Sequence, residues 1–579
     1  MKGEYNEQAP AFPVAEMAYN SDPMMSEFNM ERKGVDEAPC SLKEDLSVRG
    51  PDEPTEEELH TLRKISDKIP VAAWLIVVVE LCERFAYYGL SAPFQNYISN
   101  PYSEPPSDHP GAIGAGQQTA SALNYFFQFF CYFTPVIGAM VADQYWGKFK
   151  AILVFAVIYM VGLLVLVLTS IPPAIEANAA LPGLVIAMII IGLGTGGIKA
   201  NVSPMVAEQY TETKARVKTL PSGERVIVDP DVTVQSIFLA FYFCINVGSL
   251  SAIITTNIEK YIGFWLAYLI PLVVFLLAVA CLLYGKDKFV KTPPRGSVLI
   301  ECFRIIKIAT KNGWSLDAAK PSSIYGRNPE APIVTWDDIF IEELKIAFEA
   351  CKIFCFFPFY WVIYGQLTTN LVSQAGTMLT DPLPNDIINN IDPISLIILI
   401  PIFDKFIYPF LRRYGYEPKP VTRIALGFLF TALSMAWAAL VQHLIYTTGP
   451  NYDHPLSDPA QTPNNITVAW QVPSYVFMAL SEIMASVTGL EFAFTNAPVS
   501  MKSVVMSIFL FTNCLGALLN FALLPLVVDP LILINYSLLA VISFIISLII
   551  LFFYRNMDVQ LHASRAKLQV LYDQHQRDH

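Results

Sequence analysis

Val71-Ala-Ala-Trp-Leu-Ile-Val-Val-Val-Glu80-Leu-Cys-Glu83-Arg84-Phe85-Ala-Tyr87-Tyr88-Gly89 is an apolar run of the length that enters a bilayer, yet it carries three ionisable groups. Glu80 and Glu83 are three apart, while Glu80 and Arg84, like Glu83 and Tyr87, are four apart. On a helix these four therefore share one face. A charge at the centre of a membrane helix costs several kcal/mol, so this face must point into a cavity or a protein interior. Two neighbouring carboxylates cannot both ionise cheaply unless the arginine offsets one of them. The stretch thus describes a site able to bind and release a proton. The plainer alternative is a static ion-pair network that only holds helices together, and such pairs stabilise weakly.

Outward from this stretch the pattern repeats. The chain of 579 residues is 54% hydrophobic and only 15% charged, well below the quarter usual in soluble domains. Apolar runs fall at roughly 71–98, 117–141, 149–171, 182–207, 234–257, 263–285, 347–370, 392–411, 421–445, 469–494, 503–528 and 532–554. The expected fold is an all-α membrane protein with twelve transmembrane helices in two six-helix bundles. Basic residues follow every second span: Lys148 and Lys150, then Lys214 to Arg225, Lys286 to Arg295, Arg412 to Lys419, and Lys502. The opposite loops at 101–116, 171–181, 381–391 and 447–468 contain no lysine or arginine, which places both termini in the cytoplasm.

Residues 1–69 read as a disordered acidic cytoplasmic tail, since residues 1–68 hold 16 acids against 8 bases. No cleavable signal peptide is visible, so the first span would serve as targeting signal. Residues 70–285 form the first bundle and 286–345 a cytoplasmic linker. Residues 346–555 form the second bundle, and 556–579 a cytoplasmic tail. Nothing suggests nucleic-acid binding. The nine cysteines lie in the tail, in apolar spans or near basic loops, so no disulfide framework is expected.

Few other spans carry charge. Lys199 lies in the fourth span within Gly194-Thr-Gly196-Gly197-Ile-Lys199-Ala-Asn201, unless it snorkels to the cytoplasm. Asn246 in the fifth span serves either a pocket or a helix–helix hydrogen bond. In the tenth span Glu482 and Ser486 are four apart, and in the seventh Trp361 stands out from an aromatic run, Phe357-Pro358-Phe359-Tyr360-Trp361. The first half thus offers cations, Arg84 and Lys199, and the second an anion, Glu482. A zwitterion of roughly 7–10 Å, the reach of two or three residues at about 3.5 Å each, would bridge them.

These residues resemble the proton-coupled oligopeptide transporter family, its fungal branch in particular, within the major facilitator superfamily. The matches are Glu80–Phe85, the Gly138–Lys150 loop, Gly194–Asn201, Phe238–Ser249, Phe357–Gln366 and Ser486–Glu491 with Ala497-Pro498. The resemblance implies a proton-coupled symporter that imports di- and tripeptides by alternating access. It implies that Arg84 and Lys199 hold the substrate carboxylate and Glu482 its amine. Tyr87, Tyr88, Tyr132, Asn246, Trp361 and Ser486 match further pocket positions, and Glu80 and Glu83 match positions linked to proton coupling.

Three departures stand out. The span-two histidine of animal members corresponds to Tyr125, so carboxylates must carry the proton. An acid common before the span-seven glutamine is replaced by Gly365. Asn-Pro at the start of the eighth span is replaced by Asp392-Pro393, where Asp392 reads as a helix N-cap in preference to an extra pocket acid.

Rival classes remain. An anion carrier of the same family is disfavoured because Glu482 repels a bare anion. A peptide receptor that moves nothing has no use for an acid-rich relay. An enzyme lacks a metal cluster, nucleophile elbow or phosphate loop in the sequence. No cofactor is expected beyond protons as coupling ion, and the protein is expected to be a monomer in the plasma membrane. Asn465-Ile-Thr467 forms a glycosylation sequon in a loop assigned outside.

Overall fold

The computed structural model describes residues 54–578 except 56–57, 59–60, 108, 213, 222, 295–297, 328–333, 381–382, 415–418, 456–461, 497 and 499–501. Most of the expected acidic tail therefore lies outside the described residues. Its end is ordered, because β1 (Lys64–Ile65), β2 (Arg216–Thr219) and β3 (Arg225–Val228) form one sheet in the order β1-β3-β2. Ion pairs from Asp67 to Arg216 at 2.5 Å and from Glu58 to Arg225 at 2.7 Å join the tail to the basic loop behind the fourth span.

Eleven helical segments among the described residues are long and apolar enough to cross a membrane. The first span, α1 (Val71–Ser91), makes the twelfth. Its charges spoil its hydropathy but do not face lipid, since Glu80, Glu83 and Arg84 are 5%, 0% and 5% exposed. Pro93, which has no N–H to continue the ladder, interrupts this span before α2 (Phe94–Ser99) completes it. The remaining spans of the first half are α3 (Gly116–Val141), α4 (Lys148–Thr169), α5 (Ala180–Glu208), α6 (Pro230–Ser249) with its continuation α7 (Ser251–Tyr261), and α8 (Phe264–Tyr284).

The two halves have separate cores. One cluster of buried apolar side chains runs from Ala72 to Phe289, and the other clusters contain only residues from Cys302 onward. Glycine sets the closest approach in the first bundle: a Cβ on Gly138 would lie 2.6 Å from the carbonyl oxygen of Gly196.

The stretch read as a linker holds α9 (Val298–Lys311), and the seventh span starts earlier than its hydropathy suggests, at α10 (Asp338–Ala350). It passes through a 3₁₀ turn at Cys351–Phe356 into α11 (Phe357–Gly365), where Pro358 occupies the first turn, and ends in α12 (Asn370–Gly376). A second 3₁₀ turn, Asn385–Asn390, leads into α13 (Ile391–Ile402). Then follow α14 (Pro420–Thr447), α15 (Val472–Ser481), a π-turn at Glu482–Val487, α16 (Thr488–Asn496), α17 (Lys502–Leu523) and α18 (Ile532–Phe553). The final stretch is a helix, α19 (Met557–Asp578), tied to the seventh span by a bond from Ser564 Oγ to Glu349 Oε2 at 3.1 Å.

The bundles bond to each other toward the end opposite the chain termini. Gln95 Nε2 donates to Ser373 Oγ at 2.9 Å, and Ser121 Oγ to Asn370 Oδ1 at 3.1 Å. Tyr125 Oη lies 3.1 Å from Thr369 Oγ1.

Candidate functional site

A cavity of about 300 Å³ lies between the bundles, and both contribute its walls. From the first come Tyr87 and Tyr88 of α1, Tyr132 of α3 and Asn246 of α6; from the second come Trp361 of α11 and Glu482. These six sequence candidates are brought together. Trp361 is fixed by a bond from its Nε1 to Thr512 Oγ1 at 2.9 Å, so its ring is a rigid part of the wall.

The coupling face of α1 sits just behind this wall. Arg84 Nε lies 3.2 Å from Glu80 Oε1, and its guanidinium also pairs with Glu83. Glu83 Oε1 is buried with no hydrogen-bond partner. Two acids therefore share one arginine, as the helical spacing implies. The guanidinium lies 5.4 Å from the ring centre of Tyr87, and Lys199 Nζ lies 3.6 Å from that of Tyr132. Each cation thus stacks on a tyrosine that faces the cavity. Lys199 does not snorkel away to the cytoplasm. Close contact between α1 and α6 is possible because residue 248 is glycine: a Cβ there would lie 2.8 Å from Arg84 Cβ.

Two readings change. Asp392 is not a cap: the residue before its helix is Asn390, which makes no side-chain capping bond. Asp392 is instead 4% exposed on the cavity wall, with its carboxyl against that of Glu482 and its Oδ1 lacking a partner. Ser486 is not part of the wall. It lies in the π-turn Glu482–Val487, one turn on from Glu482, and is not among the residues that line the cavity.

Tyr364, Tyr242, Gln128 and Asn513 also line the cavity, although the sequence reading did not single them out. Three of them carried a signal, since Tyr364 is three residues after Trp361, Tyr242 four before Asn246 and Gln128 four before Tyr132 on the same helices. Tyr125, at the position of the animal histidine, bonds Thr369 and, at 3.4 Å, Gln366, so it ties the bundles together. Gly365 lines the cavity, and a Cβ there would lie 3.0 Å from the Asn520 amide nitrogen.

The signature of the POT family matches residues 149–539. This chain belongs to the POT family. Curated relatives include "Peptide transporter PTR_A" of Candidozyma auris, 47% identical over 89% of this chain and 87% of the relative. "Peptide transporter PTR2" of Saccharomyces cerevisiae is 48% identical over 82% of this chain and 78% of the relative. Among solved structures, that of the POT family transporter PepTSo superposes with a TM-score of 0.67 at 20% identity, over 85% of this chain and 99% of that one. At that identity the superposition carries the fold alone, a membrane protein of two helical bundles.

Proposed function

We propose that this POT family member is a proton-coupled symporter that imports di- and tripeptides across the plasma membrane by alternating access. The observation that carries the reading is a cavity with acids on one wall and, behind the tyrosines of the opposite wall, two cations that do not themselves line it. Arg84 and Lys199 stand behind Tyr87 and Tyr132, and Glu482 with Asp392 lies on the opposite bundle. Tyr88 and Tyr132 are each within electrostatic reach of both Arg84 and Glu482, so they lie between the two opposite charges. Names of relatives at 47–48% identity support peptides as the substrate class.

In this reading Arg84 and Lys199 receive the peptide carboxylate, and Glu482 with Asp392 receives the amine. Tyr87, Tyr88, Tyr132, Asn246 and Trp361 shape the space for side chains. Glu80 and Glu83 exchange the coupling proton through their shared claim on Arg84. The bundles then rock about the cavity, opening it to one side at a time. Two facing acids argue against a small-anion carrier, because they repel an anion and suit an ammonium.

The distribution of basic loops places both termini in the cytoplasm, and so puts the cross-bundle bonds of Gln95, Ser121 and Tyr125 at the outer end. The protein acts as a monomer with protons as its only cofactor. Asn465 has an exposed side chain in an outer loop and carries a glycan in a eukaryotic host.

The test is uptake of a labelled dipeptide by proteoliposomes, with and without an inward proton gradient. Accumulation that collapses with a protonophore supports the proposal. Uptake of a small anion but of no dipeptide overturns it.

A further inference from the structure

At the end that the foregoing proposal places outside, Asn96 and Asn385 exchange side-chain amide hydrogen bonds at 2.8 and 2.9 Å. Asn96 belongs to α2 of the first bundle and Asn385 to the turn before α13 of the second, so the exchange ties the bundles together. Asn96 Nδ2 also donates to Glu259 Oε1 at 2.9 Å. The other face of Glu259 meets Asp386, carboxyl to carboxyl. Glu259 is carried by α7, and Asp386 follows Asn385 directly. Both acids are 1% exposed. Glu259 Oε2 meets no donor, and the Asp386 carboxyl has only the backbone N–H groups of Asp386 and Ile387 beside it, in poor hydrogen-bond geometry.

Beyond these amides and Asn96, no full positive charge offsets the pair: among the described residues no lysine or arginine ion pair is found at either acid. Lys260 follows on α7, with its Nζ 5.9 Å from the Tyr261 ring. On α8, the hydroxyl of Tyr268 is buried without a partner within reach of both acids, and its ring lies 5.5 Å from that of Tyr97 on α2. Tyr475 on α15 is within reach of Asp386 and also of Asp392. From α12 the nearby polar groups, Ser373 and Gln374, are neutral. His109 borders the same outer cleft as Asn96 and Asn385.

Two carboxyls in contact, out of water and without a cation, cannot both be ionised. A proton between them turns repulsion into a hydrogen bond, with one carboxyl donating and the other accepting. The pair spans the two bundles, so that bond exists only while the outer end is shut. We propose that Glu259 and Asp386 are a second proton-binding site, separate from the α1 acids, which latches the outer gate. A proton taken from the external solution closes the latch, and its return to that solution releases it.

The latch adds nothing to the net proton count, because its proton enters and leaves on the same side. It sets instead the balance between outward-open and outward-closed forms. The closed form binds one more proton, so its population relative to the open form rises up to about tenfold per unit fall in external pH. The proposal rests on alternating access and on the assigned orientation, and not on peptide as the substrate.

The test uses the full chain in lipid nanodiscs, spin-labelled at Glu104→Cys and Asp453→Cys on exposed outer loops of the two bundles, with Cys40 and Cys355 replaced by serine. The distance between labels is followed from about pH 5 to about pH 8, the range in which such a site can act as a switch. With both acids intact, the open distance should gain population as pH rises. Asp386→Asn and Glu259→Gln should each keep the closed distance throughout, because an amide donates to the remaining carboxylate without a shared proton. A pH-independent distance with both acids intact overturns the proposal. So does an unaltered pH response in whichever neutral variant folds. Dipeptide uptake by the unlabelled protein is read separately: its absence counts against the transport proposal and leaves the distance measurement standing.

Discussion

Asp392 and Glu482, ninety positions apart in the chain, meet carboxyl to carboxyl on the wall of the central cavity, and no ion-pairing cation accompanies them among the described residues. Both are on the second bundle, so the contact survives whichever way the bundles rock. Such a pair holds a proton when the cavity is empty, because two dry carboxylates in contact repel. A peptide ammonium can replace that proton and satisfy both acids at once. Substrate binding and proton release thus become linked at a place distinct from the α1 face. Because this proton is given up where peptide binds and regained where peptide leaves, it runs against the peptide, and net symport requires both Glu80 and Glu83 to carry a proton inward.

The amine-binding role of Glu482 can be measured through the amine itself. A hydrogen bond to a charged group contributes roughly 1.5–3 kcal/mol, so Glu482→Gln should weaken dipeptide binding by about 10- to 150-fold. The intact protein should reject an N-acetylated dipeptide, which lacks the ammonium, whereas the variant should treat free and acetylated peptides alike. Competition against a labelled dipeptide reads both. Undiminished discrimination in the variant would remove Glu482 from the amine site.

Asp392 should show itself in the pH dependence of binding. If the empty pair holds a proton that the ammonium displaces, affinity must rise as pH rises through the titration of the pair, by at most about tenfold per pH unit. With Asp392→Asn the remaining Glu482 accepts an N–H from the amide and needs no proton, so the slope should flatten. Calorimetry in two buffers of different ionisation enthalpy counts the protons released per peptide. An equal count in both proteins would argue against a shared proton.

The α1 site was legible because three charges in one apolar run leave few structural choices, and helical spacing alone places Glu80, Glu83 and Arg84 together. Asp392 was not, for two reasons. An acid one residue before Pro393 at a helix start looks like a cap, and nothing local points to a partner ninety residues away. Ser486 shares a helical face with Glu482 by its spacing of four, but a cavity wall ends somewhere along a face, and spacing does not say where. Glu259 and Asp386 lie at span edges, where charges are ordinary, and only the fold brings them into contact. The seventh span begins earlier than hydropathy suggests because α10 carries four acids, one of which, Glu343, lies among the apolar residues of its buried side.

Packing between α1 and α6 should prove sensitive to a single methyl group. A Cβ at position 248 would lie 2.8 Å from Arg84 Cβ, 3.0 Å from the backbone nitrogen of Phe85 and 3.1 Å from the Leu81 carbonyl oxygen. Backbone cannot yield as a flexible side chain does, so Gly248→Ala should force the helices apart and cost about 1–3 kcal/mol. It should also shift Arg84 relative to its two acids. The expected result is a lower Tm in detergent together with weaker dipeptide binding. A variant with unchanged Tm and binding would show that α1 and α6 have slack the close contacts do not suggest.

Coupling itself should fail in a recognisable way when an α1 acid is neutralised. Arg84 is held between Glu80 Oε1, 3.2 Å from its Nε, and Glu83, so protonating either acid leaves the arginine one full partner and frees it in part for the peptide carboxylate. Glu83→Gln and Glu80→Gln each imitate the protonated state permanently. Binding and exchange should survive, because the arginine stays charged and partnered. What is lost is the energy input: each coupled proton supplies about 2.3 kcal/mol per 100 mV and about 1.4 kcal/mol per pH unit. Without it, peptide should equilibrate and not accumulate. Proteoliposomes separate the two behaviours, since counterflow needs no gradient and uphill uptake does. Retained counterflow with abolished accumulation is the expected outcome, and accumulation that persists in both variants would place the coupling proton elsewhere.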